Sequence, residues 1–263
     1  MDDGGRRAAL MPERLLAITE RGAGPPLLLV HGVMITGEMF EPVLDHFAAR
    51  HRVIVPDLRG HGRSRALPPP YTVERLARDL ADLLDHLGVD TVDVLGYSQG
   101  GAVAQQFVLD HPGRCHRLVL ACTYAFNMAS VRERIEGRIA PALIRVLGMP
   151  RFARFVIALG LKQLSAERAA WIVGLIGSQD ATLMIAAWRA AMAFDSRGRL
   201  DEIACPTLVL AGASDTAVPM HHARQLHEGI AHSRLVVVDG ADHAMIWADP
   251  DRFVREVDAF LDA

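Results

Sequence analysis

Three cysteines are scattered along the 263 residues of this chain, and their number and spacing limit what they can do. Cys115, Cys122 and Cys205 form an odd set without the paired spacing of a disulfide framework or a zinc site. Such residues are typical of small core positions in a reducing compartment. We therefore expect a cytoplasmic protein that has neither structural disulfides nor a bound metal.

Long apolar runs and an excess of one charge are also absent. Runs such as FVIALGL at 155–161 are far shorter than the roughly 20 residues that span a bilayer, and MDDGGRRAALMPERLL at the start lacks the apolar core of a secretory signal. The 28 basic and 31 acidic residues are interspersed and give a net charge of −3. This balance predicts no nucleic-acid partner and no stable membrane association.

What the chain does contain is an alternation of β-rich runs and helical periods. In residues 71–88 the leucines share one helical face, Thr72 can cap the start and Gly88 can end it. LAITE at 16–20 is interpreted as an antiparallel edge strand. Strands that alternate with helices predict an α/β fold with a mostly parallel, doubly wound sheet. The β-rich runs occupy residues 25–32, 51–57, 89–98, 115–121, 205–212 and 233–240.

The alternation is interrupted once. From about Tyr124 to Arg199 only helical segments appear, punctuated by proline and glycine, and this stretch is too long to be a loop. We interpret residues 125–198 as a helical cap inserted over one end of the sheet. Residues 1–124 and 199–263 would then form the α/β core.

Ser98 follows a predicted strand and precedes a helical pattern, inside the stretch DVLGYSQGGAVAQQF. A parallel sheet binds ligands outside the carboxyl ends of its strands, which is where this serine would stand. A sharp strand-to-helix turn leaves little room for side chains on either side, which explains Gly96 and Gly100. The pattern predicts a nucleophile elbow with Ser98 as nucleophile.

A serine nucleophile needs a base, and His243 is the best-placed histidine. It follows the last predicted strand at its carboxyl end, in DGADHAMIWADP. His232 precedes that strand, at the wrong end. Those in VPMHHARQLHEGI, namely His221, His222 and His227, are explained by the solvated face of a polar helix.

The carboxylate that orients the base should lie in a loop after a late strand. Asp215 in LVLAGASDTAVP meets this condition, whereas Asp239 and Asp242 are too close to His243 in sequence to reach its Nδ1. The backbone amides that would bind the oxyanion are predicted at Gln99, directly after the nucleophile, and at Val33 in VHGVMITG.

Together these motifs resemble the α/β-hydrolase fold superfamily, in its capped group of serine esterases and lactonases. The resemblance covers essentially the full chain and implies a Ser98–Asp215–His243 triad with the amides of Val33 and Gln99. Asp57, Arg59 and His61 are interpreted as framework residues. The stretches that carry it are LLLVHG, PDLRGHGRS at 56–64, GYSQGG, CPTLVLAGASDTAVP and GADHAMIWADP.

Differences between these motifs and those of other members of that superfamily narrow the range of reactions expected of this chain. Haloalkane dehalogenases and epoxide hydrolases need an aspartate at the position of Ser98, and carbon–carbon hydrolases carry GxGPG after the first HG, which HGVMITG lacks. Cofactor-free perhydrolases often have methionine where Gln99 stands. The similarity of GYSQGG to cutinases is local, because those are disulfide-stapled and lack a cap.

The resulting prediction is a serine hydrolase that cleaves a carboxylic ester or a lactone through an acyl-enzyme, without metal or cofactor. Thioester or amide hydrolysis, perhydrolysis, or slow-turnover ligand binding and signalling stay open as alternatives. The substrate is predicted to be small and largely apolar, because the cap is rich in apolar side chains. These include Phe126, Met128, Leu147, Met149, Phe152, Phe155, Trp171, Met184 and Trp188, with Arg132, Arg134 and Arg138 at helical intervals.

Overall fold

A computed structural model describes residues 14–263 as one alternating series of strands and helices. Residues 1–13 lie outside the described residues. They include the start of the predicted core segment and most of the N-terminal stretch that was predicted to lack a secretory signal. The elements, in chain order, are β1 (Ile18–Arg21), β2 (Pro26–Val30), α1 (Glu41–Ala48), β3 (Arg52–Pro56), α2 (Val73–His86), β4 (Val92–Tyr97), α3 (Gln99–Asp110), β5 (Cys115–Ala121), α4 (Val131–Gly160), α5 (Ala166–Gly177), α6 (Ala181–Ala193), β6 (Thr207–Gly212), α7 (Met220–Gly229), β7 (Ser233–Val238), α8 (Met245–Ala248) and α9 (Pro250–Leu261).

The described strands form a seven-stranded sheet in the order β1-β3-β2-β4-β5-β6-β7. All neighbouring pairs are parallel except β1 and β3, so the prediction of an antiparallel edge strand is confirmed. In the centre, Leu95 of β4 lies opposite Leu29 of β2 and Val119 of β5. The predicted fold class is confirmed, because each β-rich run became a strand of this sheet.

Helices cover both faces of the sheet because successive strand residues point to opposite sides. Val94 packs with α2 and α3 on one face, whereas Leu95 packs with α1, α8 and α9 on the other. Helix α2 begins after Thr72, whose Oγ1 accepts the amide of Arg75 at 3.2 Å, and Gly88 follows its end at a φ of 64°. Both signals are the ones that the sequence indicated.

Three helices, α4, α5 and α6, occupy the chain between β5 and β6 and form the predicted helical cap. Gly148 interrupts α4 at φ 69° and ψ 163°, two residues before Pro150. The cap meets the core through an apolar cluster that includes Met34 of the core. The boundaries of the cap at residues 125 and 198 stay a prediction. The fully or nearly fully buried members of this cap cluster are Met34, Ala140, Ile144, Met149, Phe152, Met184 and Ile185.

Where the cap leaves and rejoins the core, Phe126 and Asp195 form an isolated antiparallel bridge. Arg197 lies over the ring of Phe126 at 4.0 Å and pairs with Asp195, so the two crossing segments are held side by side. Among the described helices, none is by itself long and apolar enough to cross a membrane; α5 and α6 together meet that test only as a pair bent by 97°.

Candidate active site

Ser98 lies on a strained turn between β4 and α3, with φ 55° and ψ −123°. A Cβ at Gly96 would come within 2.5 Å of the carbonyl oxygen of Gly100, and a Cβ at Gly100 would overlap the backbone of Val30. Side chains at these two glycines would therefore force the turn open. Thr123 adds support, because its Oγ1 donates to the carbonyl oxygen of Ser98 at 2.6 Å. The predicted elbow geometry is present.

Gln99 is the first residue of α3 and connects the elbow to the cap. Its fully buried side chain donates from Nε2 to the carbonyl oxygen of Ala187 in α6, at 3.3 Å. Its Oε1 is buried and accepts no hydrogen bond from the described residues. The backbone amide of Gln99 stands beside Ser98 at a helix N-terminus, where amides are free to bind an anion.

The loop after β2 passes directly against the serine. A Cβ at Gly32 would lie 3.3 Å from Cβ of Ser98 and 3.7 Å from its Oγ. The next residue, Val33, is partly buried and packs on the cap cluster, and Met34 has a φ of 65°. Both residues predicted to offer oxyanion amides are thus next to Ser98 or to a residue that touches it.

Two buried histidines hold this loop in place. Nε2 of His31 accepts the amide of Leu58 at 2.9 Å, and Nε2 of His61 accepts the amide of Met34 at 3.3 Å. Burial lowers the pKa of His61 to about 3, so the ring is neutral and Nε2 can accept. These contacts give His61 a structural role, as the sequence indicated.

The other framework candidates of PDLRGHGRS are also engaged in structural contacts. Asp57 accepts the amide of Gly37 at 3.0 Å and Nε of Arg63 at 2.7 Å. Arg59 forms a buried bidentate pair with Asp79 of α2, with N–O distances of 2.6 and 2.7 Å. Asp79 is also paired with Arg75 at 2.8 Å, so this carboxylate anchors the loop of Arg59 to α2.

His243 and Asp215 are in direct contact across two loops that follow β7 and β6. Nδ1 of His243 lies 2.7 Å from Oδ2 of Asp215. The other oxygen, Oδ1, accepts the amides of Ala217 at 2.9 Å and Val218 at 2.8 Å, which fixes the carboxylate plane. Because a carboxylate only accepts, Nδ1 carries a proton, and in the neutral ring Nε2 keeps its lone pair.

The nearer acids in sequence do not compete for that ring. Oδ1 of Asp242 accepts the amide of Ala244 at 2.7 Å, and Oδ2 accepts the amide of Lys162 in the cap at 3.1 Å. Asp239 is exposed. Asp242 therefore ties the His243 loop to the cap, and the structure gives Asp215 as the partner of the imidazole.

The side chains of Ser98 and His243 form no hydrogen bond with each other in the described structure. Tyr97, directly before the serine, donates its hydroxyl to the carbonyl oxygen of His243 at 2.9 Å, and the two rings are 5.7 Å apart. The hydrogen bond between a serine nucleophile and its histidine base is often long in a ligand-free site and tightens when substrate binds. Tyr97 thus ties the His243 loop to the strand that leads into the elbow.

The environment of His243 sets its protonation. Burial lowers the pKa of the imidazole, but the charge and the hydrogen bond of Asp215, together with Cys122, outweigh burial, so that this pKa stands well above the ordinary value of 6.5. The imidazole is consequently a neutral base only at pH values above this raised pKa.

Cys122 is a neighbour that sequence reasoning assigned only to the core. It follows β5 at a φ of 48°, and its Sγ lies within 4.8 Å of ligand atoms of both Asp215 and His243. Burial raises the pKa of the thiol, so it stays protonated. The signal that could have found it is its place directly after β5, at the carboxyl end of the sheet.

A second cluster, Glu133, His221 and His222, corrects one sequence interpretation. His222 does not lie on a solvated face: it is fully buried, and its Nε2 lies 2.9 Å from Oε1 of Glu133 in the cap. His221, half exposed, contacts the same oxygen at 3.1 Å. The solvent explanation fails because α7 packs against the first turn of α4.

The chemistry of this cluster fits a hydrogen bond better than a metal ion. With the proton on Nε2, His222 donates to Glu133, and its buried Nδ1, which has no partner among the described residues, keeps only a lone pair. A metal on Nε2 would move the proton to Nδ1 and leave a buried donor unpaired, without the usual outer partner of a metal-bound histidine.

Comparison with protein-family models decides the family. A model of the alpha/beta hydrolase fold matches residues 25–250, which include every site residue described above. The chain belongs to the α/β-hydrolase fold family. This membership accounts for the sheet order, the elbow and the place of the inserted cap.

Relatives of this α/β-hydrolase share the fold along nearly its whole length. A protein of Azorhizobium caulinodans named "Putative carbamate hydrolase RutD" is 33% identical over 239 residues, covering 88% of this chain and 89% of its own. A thermophilic esterase from Thermogutta terrifontis has a TM-score of 0.85 and 31% identity, over 94% and 93% of the two chains. An enol-lactonase from Burkholderia xenovorans LB400 has a TM-score of 0.83 and 26% identity, over 94% and 96%. Hydrolase chemistry is therefore the shared activity class.

Proposed function

We propose that this α/β-hydrolase is a serine hydrolase that cleaves carboxylic esters, lactones included, through an acyl-enzyme on Ser98. The observation that carries the proposal is the 2.7 Å contact between His243 and Asp215, at the same edge of the sheet as a serine on a strained elbow. These are the groups that a nucleophilic mechanism needs, in the chain order serine, acid, histidine.

Each group has a defined part in the proposed reaction. Nε2 of His243 takes the proton of Ser98 Oγ as the oxygen attacks the ester carbonyl. Asp215 keeps the imidazole in the correct tautomer, and the amides of Val33 and Gln99 stabilise the oxyanion. His243 then returns the proton to the departing alcohol, and water hydrolyses the acyl-enzyme by the same steps. The proposed reaction requires no metal and no cofactor.

The proposed substrate is a small, largely apolar ester. Val33 packs against the apolar cap cluster beside Ser98, so acyl chains entering there would meet methionine, isoleucine and phenylalanine side chains. The similar esterase and enol-lactonase are named for bonds of this class. We propose that the protein acts in the cytoplasm and has no nucleic-acid partner.

A carbamate is the second candidate substrate. It is favoured by the 33% identical relative, whose name states carbamate hydrolysis. On an aryl carbamate, the attack of Ser98 on the carbonyl would expel the phenol and leave a carbamoyl group on Ser98, which water then removes.

A turnover assay over a substrate panel tests the proposal. With p-nitrophenyl esters of increasing acyl length, lactones and aryl carbamates, we expect multiple turnovers on at least one ester with a kcat of about 1 s⁻¹ or more. A faster carbamate would transfer the assignment to the second candidate. One burst followed by a stable bound product on every substrate would contradict the enzyme proposal and favour slow-turnover binding or signalling.

The pH dependence of kcat/KM should report the ionisation of His243. The free base is active, so kcat/KM on a neutral ester should rise with pH, with its midpoint above 6.5 because Asp215 raises the pKa. In Asp215→Asn, whatever activity is left should show a lower midpoint, since the raising charge is gone. The exposed Asp239→Asn is the matched control; a wild-type midpoint at or below 6.5 would contradict this assignment.

A further inference from the structure

The outer surface of α4 exposes an unusual number of large apolar side chains. Of the eight such side chains that are more than a third exposed in the described residues, seven lie on this cap helix. Val131, Ile135 and Ile139 are 71%, 50% and 47% exposed, and Val146 is 79% exposed. A soluble domain rarely leaves so many on one element without a partner for them.

The exposed apolar side chains before Gly148 share one face of the helix. Val131, Ile135 and Ile139 are spaced by four residues, which stacks them along one side of an α-helix. The opposite side, which includes Ile144, is buried in the cap cluster. After the break at Gly148 the pattern resumes with Phe155 and Leu159, which are 45% and 60% exposed. The helix is thus apolar on both its inner and its outer side.

Arginines border this outer stripe and lack counter-charges. Arg138, Arg145, Arg151 and Arg154 are exposed, and none of them pairs with a described residue. The only exposed acid on the helix, Glu136, is already paired with Arg132 at 2.6 Å. Any partner of this face must therefore accept apolar side chains and supply negative charge.

The charge of the cap differs in sign from that of the whole protein. Residues 125–198 contain ten arginine or lysine residues and five acidic ones, whereas the chain has a net charge of −3. An apolar stripe bordered by arginines is the composition of a helix that lies in the interface of an anionic membrane. Nucleic acid would satisfy the arginines but not the stripe.

We propose that the outer face of α4, made of the stripe and the four arginines, docks on the surface of an anionic phospholipid bilayer. The stripe would enter the boundary between head groups and acyl chains, while the arginines bind phosphates. The helix would lie on the membrane, not cross it, which departs from the prediction of no stable membrane association that the overall charge balance gave. The proposal rests on exposure and charge alone and is independent of the activity of Ser98.

Vesicle co-sedimentation of the full-length protein tests this docking. We expect binding to phosphatidylglycerol–phosphatidylcholine vesicles, weaker binding to pure phosphatidylcholine, and loss of binding as salt is raised. Arg138→Glu with Arg145→Glu should weaken binding at least about 25-fold, at roughly fivefold per arginine. Ile135→Ser with Phe155→Ser should also weaken it, because less apolar surface enters the lipid.

The matched control combines one change of each type, a charge reversal and an apolar-to-serine substitution, elsewhere on the surface. Arg234→Glu with Val237→Ser alters an exposed arginine and an exposed valine of β7 and should leave binding unchanged. Circular dichroism confirms that each variant is folded. Absence of binding to anionic vesicles, or equal binding by all variants, would overturn the proposal. A self-association in sedimentation velocity that the α4 variants abolish, without vesicle binding, would assign the face to a second copy of the chain.

Discussion

Replacing Ser98 with alanine is expected to lower kcat for ester hydrolysis by about 10⁴- to 10⁶-fold. The change removes the attacking oxygen, while the oxyanion amides and the substrate site remain and account for residual activity. The measurement is kcat on the ester that the wild type cleaves fastest. The elbow itself should persist, because Gly96 and Gly100 provide the close backbone approach there.

A labelling experiment separates loss of the nucleophile from loss of the fold. A fluorophosphonate probe should modify the wild type at Ser98, as located by peptide mass spectrometry, and should not modify Ser98→Ala. Ser178→Ala, an exposed serine at the end of α5, is the matched control and should keep both labelling and turnover. Modification of another residue, or a fully active Ser98→Ala, would refute the covalent mechanism.

Replacing Asp215 with asparagine should lower kcat by about 10³- to 10⁴-fold while the protein stays folded. The asparagine Oδ1 can still accept the amides of Ala217 and Val218. Its Nδ2, however, would donate to Nδ1 of His243 and drive the proton to Nε2, which is then unable to accept from Ser98. Steady-state kinetics and a thermal melt of the same sample distinguish the two effects.

Asp242→Asn is the matched control for the acid. Asp242 is buried close to His243, but its oxygens accept the amides of Ala244 and Lys162. This substitution should cost stability, because an amide nitrogen would face a backbone donor, and should change kcat far less than Asp215→Asn. If Asp242→Asn were the crippling variant and Asp215→Asn nearly fully active, the acid would have to be reassigned.

The strands and the elbow could be predicted from sequence because their signals are local. The central runs, such as those of β2, β4 and β6, become buried on both faces in a parallel sheet, so their residues are mostly apolar without alternation. The strand-to-helix turn at Ser98 has its glycines within two residues on either side. The order of the loops along the chain was enough to place Asp215 and His243 at the carboxyl ends of β6 and β7.

Sequence reasoning failed where a distant segment changes a residue's surroundings. His222 looks like a surface residue of a polar helix, and only the packing of Glu133 from the cap buries it. Phe155 counts as one more apolar cap residue in the sequence, yet it is 45% exposed. Gln99 gives no sign that its side chain will reach Ala187.

The sequence by itself determined the sheet and the candidate nucleophile, acid and base, since these follow from hydrophobic period, turn residues and chain order, and its motifs carried the resemblance to the family. Only the tertiary structure decided the contact between Asp215 and His243, the thiol of Cys122 beside them, and the face of α4 that is left apolar and basic. The physical reason is range: periodicity and turn chemistry act over a few neighbouring residues, whereas pKa, burial and exposed surface depend on groups that meet only when distant segments pack together.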